Sequence, residues 1–166
     1  ASYSIFDKSE VWAEGSDVLY EDAIRDRWLE ARANPIPPVE VSRAPCHEVV
    51  IEGEALLSEG NGLDALPIPI SSPGFDSAPT LTATNCITRD PETGVQNMGT
   101  YRAALKASDR LVVRMATRVG GAGGYVHYRK RREAGEKLPC AIVLGCPPYV
   151  AFMGPQKLQV GIDEMA

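Results

Sequence analysis

Three side chains between Leu81 and Leu105 stand out for what they could hold: the carboxamide of Asn97, the hydroxyl of Thr100 and the guanidinium of Arg102. A guanidinium donates bidentately to a carboxylate or phosphate, and an amide oxygen is a hard metal donor. The set therefore suits an anionic or metal-bound ligand. Leu81 to Arg89 is rich in Thr and Ile and reads as a strand. Asp90-Pro91-Glu92-Thr93-Gly94 carries turn chemistry, and Val95 to Leu105 reads as a second extended segment. As one continuous strand of a hairpin, that segment is expected to turn all three side chains to one face. A solvated outer face of an antiparallel sheet would look the same, so spacing alone leaves both readings open.

A second candidate is the run Val119-Gly120-Gly121-Ala122-Gly123-Gly124. It lies between an expected strand, Arg110 to Thr117, and an expected basic amphipathic helix, Tyr125 to Ala134. Glycines there let backbone N–H groups approach a phosphate at a helix N-terminus. The run is neither GxGxxG nor a Walker A loop, and a plain strand–helix joint remains the alternative.

These features sit in a chain of 166 residues, enough for one ordinary domain or one domain and part of another. A net charge of −5 argues against a nucleic-acid partner. No apolar run is long enough to span a membrane, and no leader pattern is present, so a cytoplasmic location is expected. Cys46, Cys86, Cys140 and Cys146 are widely spaced, without a CxxC pair. They read as reduced thiols rather than a zinc site, with Cys86 and Cys140 as small buried hydrophobes. His127, alone on the expected helix, reads as a structural histidine.

The elements that must position the candidates follow in order. Ser16-Asp17 offers an N-cap to a helix ending near Ala33-Asn34, where Pro35, Pro37 and Pro38 forbid continuation. Residues 1–43 are taken as a helical segment and Pro-rich linker, and residues 44–166 as the start of a second domain. The segment HEVVIE, His47 to Glu52, reads as a strand, and Leu138 to Gly145 as a strand apolar on both faces. Pro147 to Met153 reads as a helical turn, and Gly161 to Ala166 as the start of a further helix. Strand pairs, a strand–helix–strand unit and an N-terminal helix imply an α+β fold with a barrel-like sheet.

The segment TRDPETGVQNMGTYR resembles the UbiD family of decarboxylases, which use prenylated flavin mononucleotide (prenylated FMN). The resemblance continues through DRLVVRMATRVGGAGG and KLPCAIVLGCPP, and back through ANPIPPVEVSRAPCHEVVIEG and LPIPISSPGFDSAPTLTATN. It implies that residues 44–166 are the first part of a split β-barrel cofactor domain related to flavin reductases. The implied reaction is reversible, non-oxidative decarboxylation of an aromatic or α,β-unsaturated acid through a covalent prenylated-FMN adduct. Asn97 and Glu164 match the family's metal ligands, for Mn²⁺ or Mg²⁺ beside the flavin phosphate. Arg102 matches the arginine that faces the substrate carboxylate. Thr82, Met98, Gly99, Thr100, Tyr101, Gly120, Gly121 and Ala122 match cofactor-contacting positions.

The chain also departs from the family pattern. Many members carry a metal-binding histidine near the position of Ala122. Gly154 to Lys157 differs from the run that helps hold K⁺ in some relatives. The family's acidic catalytic residues lie downstream of Glu164. The resemblance therefore implies a second polypeptide that completes the barrel and supplies a catalytic glutamate, in an oligomer, with a flavin prenyltransferase as cofactor source. A non-catalytic binding or assembly subunit, or a flavin oxidoreductase module, are the rival readings.

Overall fold

A computed structural model describes residues 20–117, 120–159 and 161–166. The expected N-cap at Ser16-Asp17 lies outside them. Helix α1 spans Tyr20–Ala33, and the Pro-rich segment after it has no regular structure, as fixed proline φ and missing donors require. Three 3₁₀ turns follow at Pro45–His47, Gly53–Leu57 and Leu63–Ala65. Then come β1 (Thr80–Leu81), β2 (Asn85–Arg89), β3 (Gln96–Thr100), β4 (Arg102–Ala107) and β5 (Arg110–Arg114). Helix α2 (Gly123–Glu133), β6 (Cys140–Val143) and α3 (Pro148–Met153) complete the order.

The strands form two antiparallel three-stranded sheets, β1-β4-β5 and β3-β2-β6. They do not close into a barrel. The β2–β3 hairpin forms as its turn residues dictate. The Asp90 carboxylate accepts from the N–H groups of Glu92 at 2.9 Å and Thr93 at 3.4 Å, and Gly94 takes φ +78°. Only Tyr101 separates β3 from β4, yet the two strands belong to different sheets. The expected long strand from Val95 to Leu105 is thus broken in the middle. Asn97 and Thr100 are also an odd number of residues apart, so they point to opposite faces of β3, not one.

Other expectations are corrected as well. HEVVIE is not a strand: after His47, the last residue of the first 3₁₀ turn, it runs without regular structure to the second, with Val49 and Val50 exposed and no neighbouring strand to pair with among the described residues. Leu138 to Gly145 narrows to β6, an edge strand with Cys140 and Ala141 exposed, so it is not covered on both faces. Strands β5 and β6 flank α2 in sequence but lie in different sheets, so no strand–helix–strand unit forms within one sheet. Gly161 to Ala166 makes turns, not a helix.

Among the described residues the buried apolar side chains are Cys86 on β2 and Ala103 on β4, the central strands of the two sheets, and Met98 on β3. Helix α2 packs on the β2–β3 hairpin through its one buried long side chain, His127. His127 Nδ1 lies 2.9 Å from Thr88 Oγ1, and Lys130 on the same helix pairs with Asp90 at 2.7 Å and Glu92 at 2.6 Å. Trp28 of α1 meets Phe152 of α3 edge to face, with ring centres 5.4 Å apart. No described helix is long and apolar enough to cross a membrane.

Candidate functional site

Strand β3 is an edge strand, and its outward N–H groups need acceptors. The C-terminal segment supplies them. The N–H of Gln96 reaches the Asp163 carboxylate at 3.3 Å, that of Met98 the Glu164 carboxylate at 2.7 Å, and that of Thr100 the Gly154 carbonyl at 3.2 Å. The Glu164 N–H in turn donates to the Gln96 carbonyl at 3.1 Å. This stitching brings Glu164 beside Asn97, whose Nδ2 donates to the same carboxylate oxygen that accepts from Met98.

Asn97 is held from two further directions. The Tyr101 hydroxyl lies 3.3 Å from Asn97 Oδ1 and accepts from the N–H of Gly124 at 3.3 Å. Gly123, at the start of α2, lies against the carboxamide so closely that a Cβ there would come within 2.6 Å of both Oδ1 and Nδ2. Gly99 is likewise bare because the Tyr101 ring occupies the space of a side chain. The glycine loop turns into α2 through Gly120 and Gly121, at φ +82° and +81°, and the Ala122 N–H closes on the Ala116 carbonyl at 2.8 Å. The N-terminus of α2 therefore abuts the Asn97–Glu164 pair and adds positive potential there.

Burial first, with a smaller push from Asp163, raises the Glu164 carboxyl above its ordinary range against the bonds from Met98 and Asn97. The Tyr101 phenol is raised mainly by burial. The Gly124 N–H opposes that shift, and Cys86, Glu164 and Cys140 add to it. The hydroxyl accordingly stays protonated, able to donate to one neighbour and accept from another.

The remaining candidates lie apart. Thr100 faces the other way, towards Asn85 at 3.4 Å, over Gly154, where a Cβ would come within 2.9 Å of Asn85 Oδ1. Arg102 is exposed on β4, directly across from Arg114 on β5. The two exposed guanidiniums emerge on one sheet face, and no described acid forms an ion pair with either. Thr82 is exposed in the link between β1 and β2; its neighbour Thr84 is the buried one, bonded to the Tyr101 carbonyl. Sequence reasoning placed Gly123 and Gly124 in the glycine run but did not foresee their contacts with Asn97 and Tyr101, and it missed Arg114. Cross-strand register would expose Arg114, but the glycine contacts have no local signal.

The family profile for the 3-octaprenyl-4-hydroxybenzoate carboxy-lyase Rift-related domain, UbiD, matches residues 38–166. The chain belongs to the UbiD family. An uncharacterised protein of Synechocystis sp. is 37% identical over 92% of the chain, which spans 33% of that relative's length. Among solved structures, the UbiD-class enzyme HmfF from Pelotomaculum thermopropionicum, in complex with FMN, is similar at TM-score 0.71 and 30% identity. That likeness covers 84% of this chain and 29% of the HmfF chain. An evolved dimeric form of HmfF in complex with prenylated FMN matches at TM-score 0.55 and 32% identity, over 60% of this chain and 22% of that one. The 3,4-dihydroxybenzoic acid decarboxylase of Enterobacter cloacae matches at TM-score 0.65 and 26% identity, over 84% of this chain and 28% of that one. The chain thus spans between a fifth and a third of the length of these proteins.

Proposed function

We propose that this chain is the cofactor-anchoring part of a UbiD-like carboxy-lyase, with residues 44–166 forming the first part of a split-barrel domain. The observation that carries this reading is the meeting of Asn97, Glu164 and the N-terminus of α2, elements separated in sequence but joined around one carboxamide. A side-chain amide and a carboxylate are hard oxygen donors of the kind Mn²⁺ or Mg²⁺ takes. Among the described residues no cluster of three or more His, Cys, Asp or Glu forms, and Asn97 and Glu164 would supply two donors of a shell that the flavin phosphate would complete. Asn97 would turn its oxygen to the metal, and Tyr101 accommodates that turn because its hydroxyl can accept from Nδ2 as readily as donate to Oδ1.

When bound, prenylated FMN supplies the electron sink for loss of CO₂ from an aromatic or α,β-unsaturated acid. The chain's own residues bind and orient. The first turn of α2 and the Gly120-Gly121-Ala122 loop would hold the phosphate, the backbone of Met98, Gly99, Thr100 and Tyr101 would contact the cofactor, and Thr82 would contribute a further contact. Arg102, opposed by Arg114, holds the substrate carboxylate. A glutamate from the remaining two thirds of the fold, on the same or a second polypeptide of the oligomer, protonates the product carbon. K⁺ is not assigned a ligand set, because Gly154 to Lys157 offers no matching run.

The test is metal and flavin retention. Asn97→Ala and Glu164→Ala should each weaken Mn²⁺ binding, read by electron paramagnetic resonance, by tenfold or more, and FMN retention with it. Unchanged Mn²⁺ and FMN content in both variants would sink the assignment.

A further inference from the structure

Away from this site, two thiols from distant parts of the chain meet. Cys86 on β2 and Cys140 on β6 have their sulfurs 3.1 Å apart. The register pairs Cys86 with Ile142 and Thr88 with Cys140, so the two cysteines are diagonal neighbours on one sheet face. They are unequal: Cys86 is 1% exposed, whereas Cys140 opens to solvent on the edge strand. We propose that Cys86 and Cys140 form a reversible dithiol–disulfide pair, a modification site for an oxidant of the peroxide class.

Cys140 is the group that reacts first. It is the exposed partner, and the S–H of Cys86, shared with its sulfur, brings its pKa down to about 7. Cys86 is held protonated by the same bond and by burial. The Cys140 thiolate attacks one peroxide oxygen, the O–O bond breaks, and the other oxygen leaves as hydroxide, which becomes water. Cys140 is then a sulfenic acid. The Cys86 sulfur attacks the Cys140 sulfur and the S–O bond breaks. That oxygen leaves as a second water, with the Cys86 proton. Each sulfur loses one electron and the peroxide gains two. A dithiol reductant reverses the step.

The fold permits the closing movement. Bridging needs the two Cβ atoms closer than a diagonal pair usually holds them, so β6 must shift. Four residues long and paired on one side, it is the strand best able to do so. The neighbouring cysteines do not compete. Cys146 accepts from Asn85 Nδ2 at 2.8 Å, and Cys46 lies in an exposed 3₁₀ turn.

The purified protein treated with one equivalent of hydrogen peroxide, then alkylated under denaturing conditions, should fall from four free thiols to two. Peptide mapping should find Cys86 linked to Cys140, and dithiothreitol should restore both. Cys140→Ser should leave Cys86 open to alkylation, whereas Cys46→Ser and Cys146→Ser should leave the cross-link intact. The proposal is overturned if Cys140 proceeds to a sulfinic acid with Cys86 still free, if all four thiols stay reduced, or if Cys140 links to Cys46 or Cys146. The map of the unsubstituted protein decides this even if a variant fails to fold.

Discussion

Gly123→Ala separates backbone propensity from side-chain contact, because the two predict opposite signs. Gly123 opens α2 without a positive φ, so alanine can adopt its backbone conformation. Helix propensity alone would then stabilise the variant by up to ~1 kcal/mol. The new Cβ, however, would lie within 2.6 Å of both heteroatoms of the Asn97 carboxamide, which must move away. That breaks its bond to the Glu164 carboxylate and its bond with Tyr101. Hydrogen bonds to charged groups contribute ~1.5–3 kcal/mol and neutral ones ~0.5–1.5 kcal/mol. Set against the propensity gain, the net expectation is a loss of about 1–3 kcal/mol in urea unfolding and at least tenfold weaker Mn²⁺ binding. Gly135→Ala is the control. It has φ +73° and open space, so it should cost ~1 kcal/mol of stability and leave metal binding unchanged. A Gly123→Ala protein that is more stable than its parent and binds Mn²⁺ equally well would refute the contact reasoning.

Arg102→Lys keeps the charge but loses the bidentate fork, so turnover of the complete enzyme should drop about tenfold with the fold intact; undiminished decarboxylation would remove Arg102 from its role. His127 is held below the ordinary histidine pKa chiefly by burial, with Asp90 opposing and Lys130 reinforcing. The unfolded chain therefore takes up this proton first, and stability should fall as pH drops from the ordinary histidine pKa to the lower folded value. His127→Gln should flatten that part of the urea-midpoint profile, and an unaltered profile would count against it. Gly99→Ala should push the Tyr101 ring out of place and weaken Mn²⁺ binding with Asn97 itself unaltered; equal affinity would show that Tyr101 does not position Asn97.

The parts of the fold that local chemistry decides were legible in the sequence. Asp90 to Gly94 could hardly be anything but a turn, and the glycine run before a basic periodic segment located α2 to within two residues at its start. HEVVIE misled because β-branched residues suit a strand only when a neighbour pairs with them, and no described strand lies there. Leu138 to Gly145 misled because an apolar run does not reveal whether it will be central or at an edge. The Asn97–Glu164 contact could not be read from local pattern at all. It depends on the free edge of β3 needing acceptors, which is a property of sheet order. The resemblance to UbiD proteins alone brought Glu164 into view.

The single-residue passage at Tyr101 makes the segment from Asn97 to Arg102 a ruler. Extended backbone advances ~3.3 Å per residue, so the Asn97 and Arg102 Cα atoms can be at most ~17 Å apart. One residue added or removed would change that reach and also reverse the face on which Arg102 emerges, stranding it from Arg114. On the proposed function, the length of these six residues would set the interval between the group that holds the metal end of the cofactor and the group that meets the substrate carboxylate.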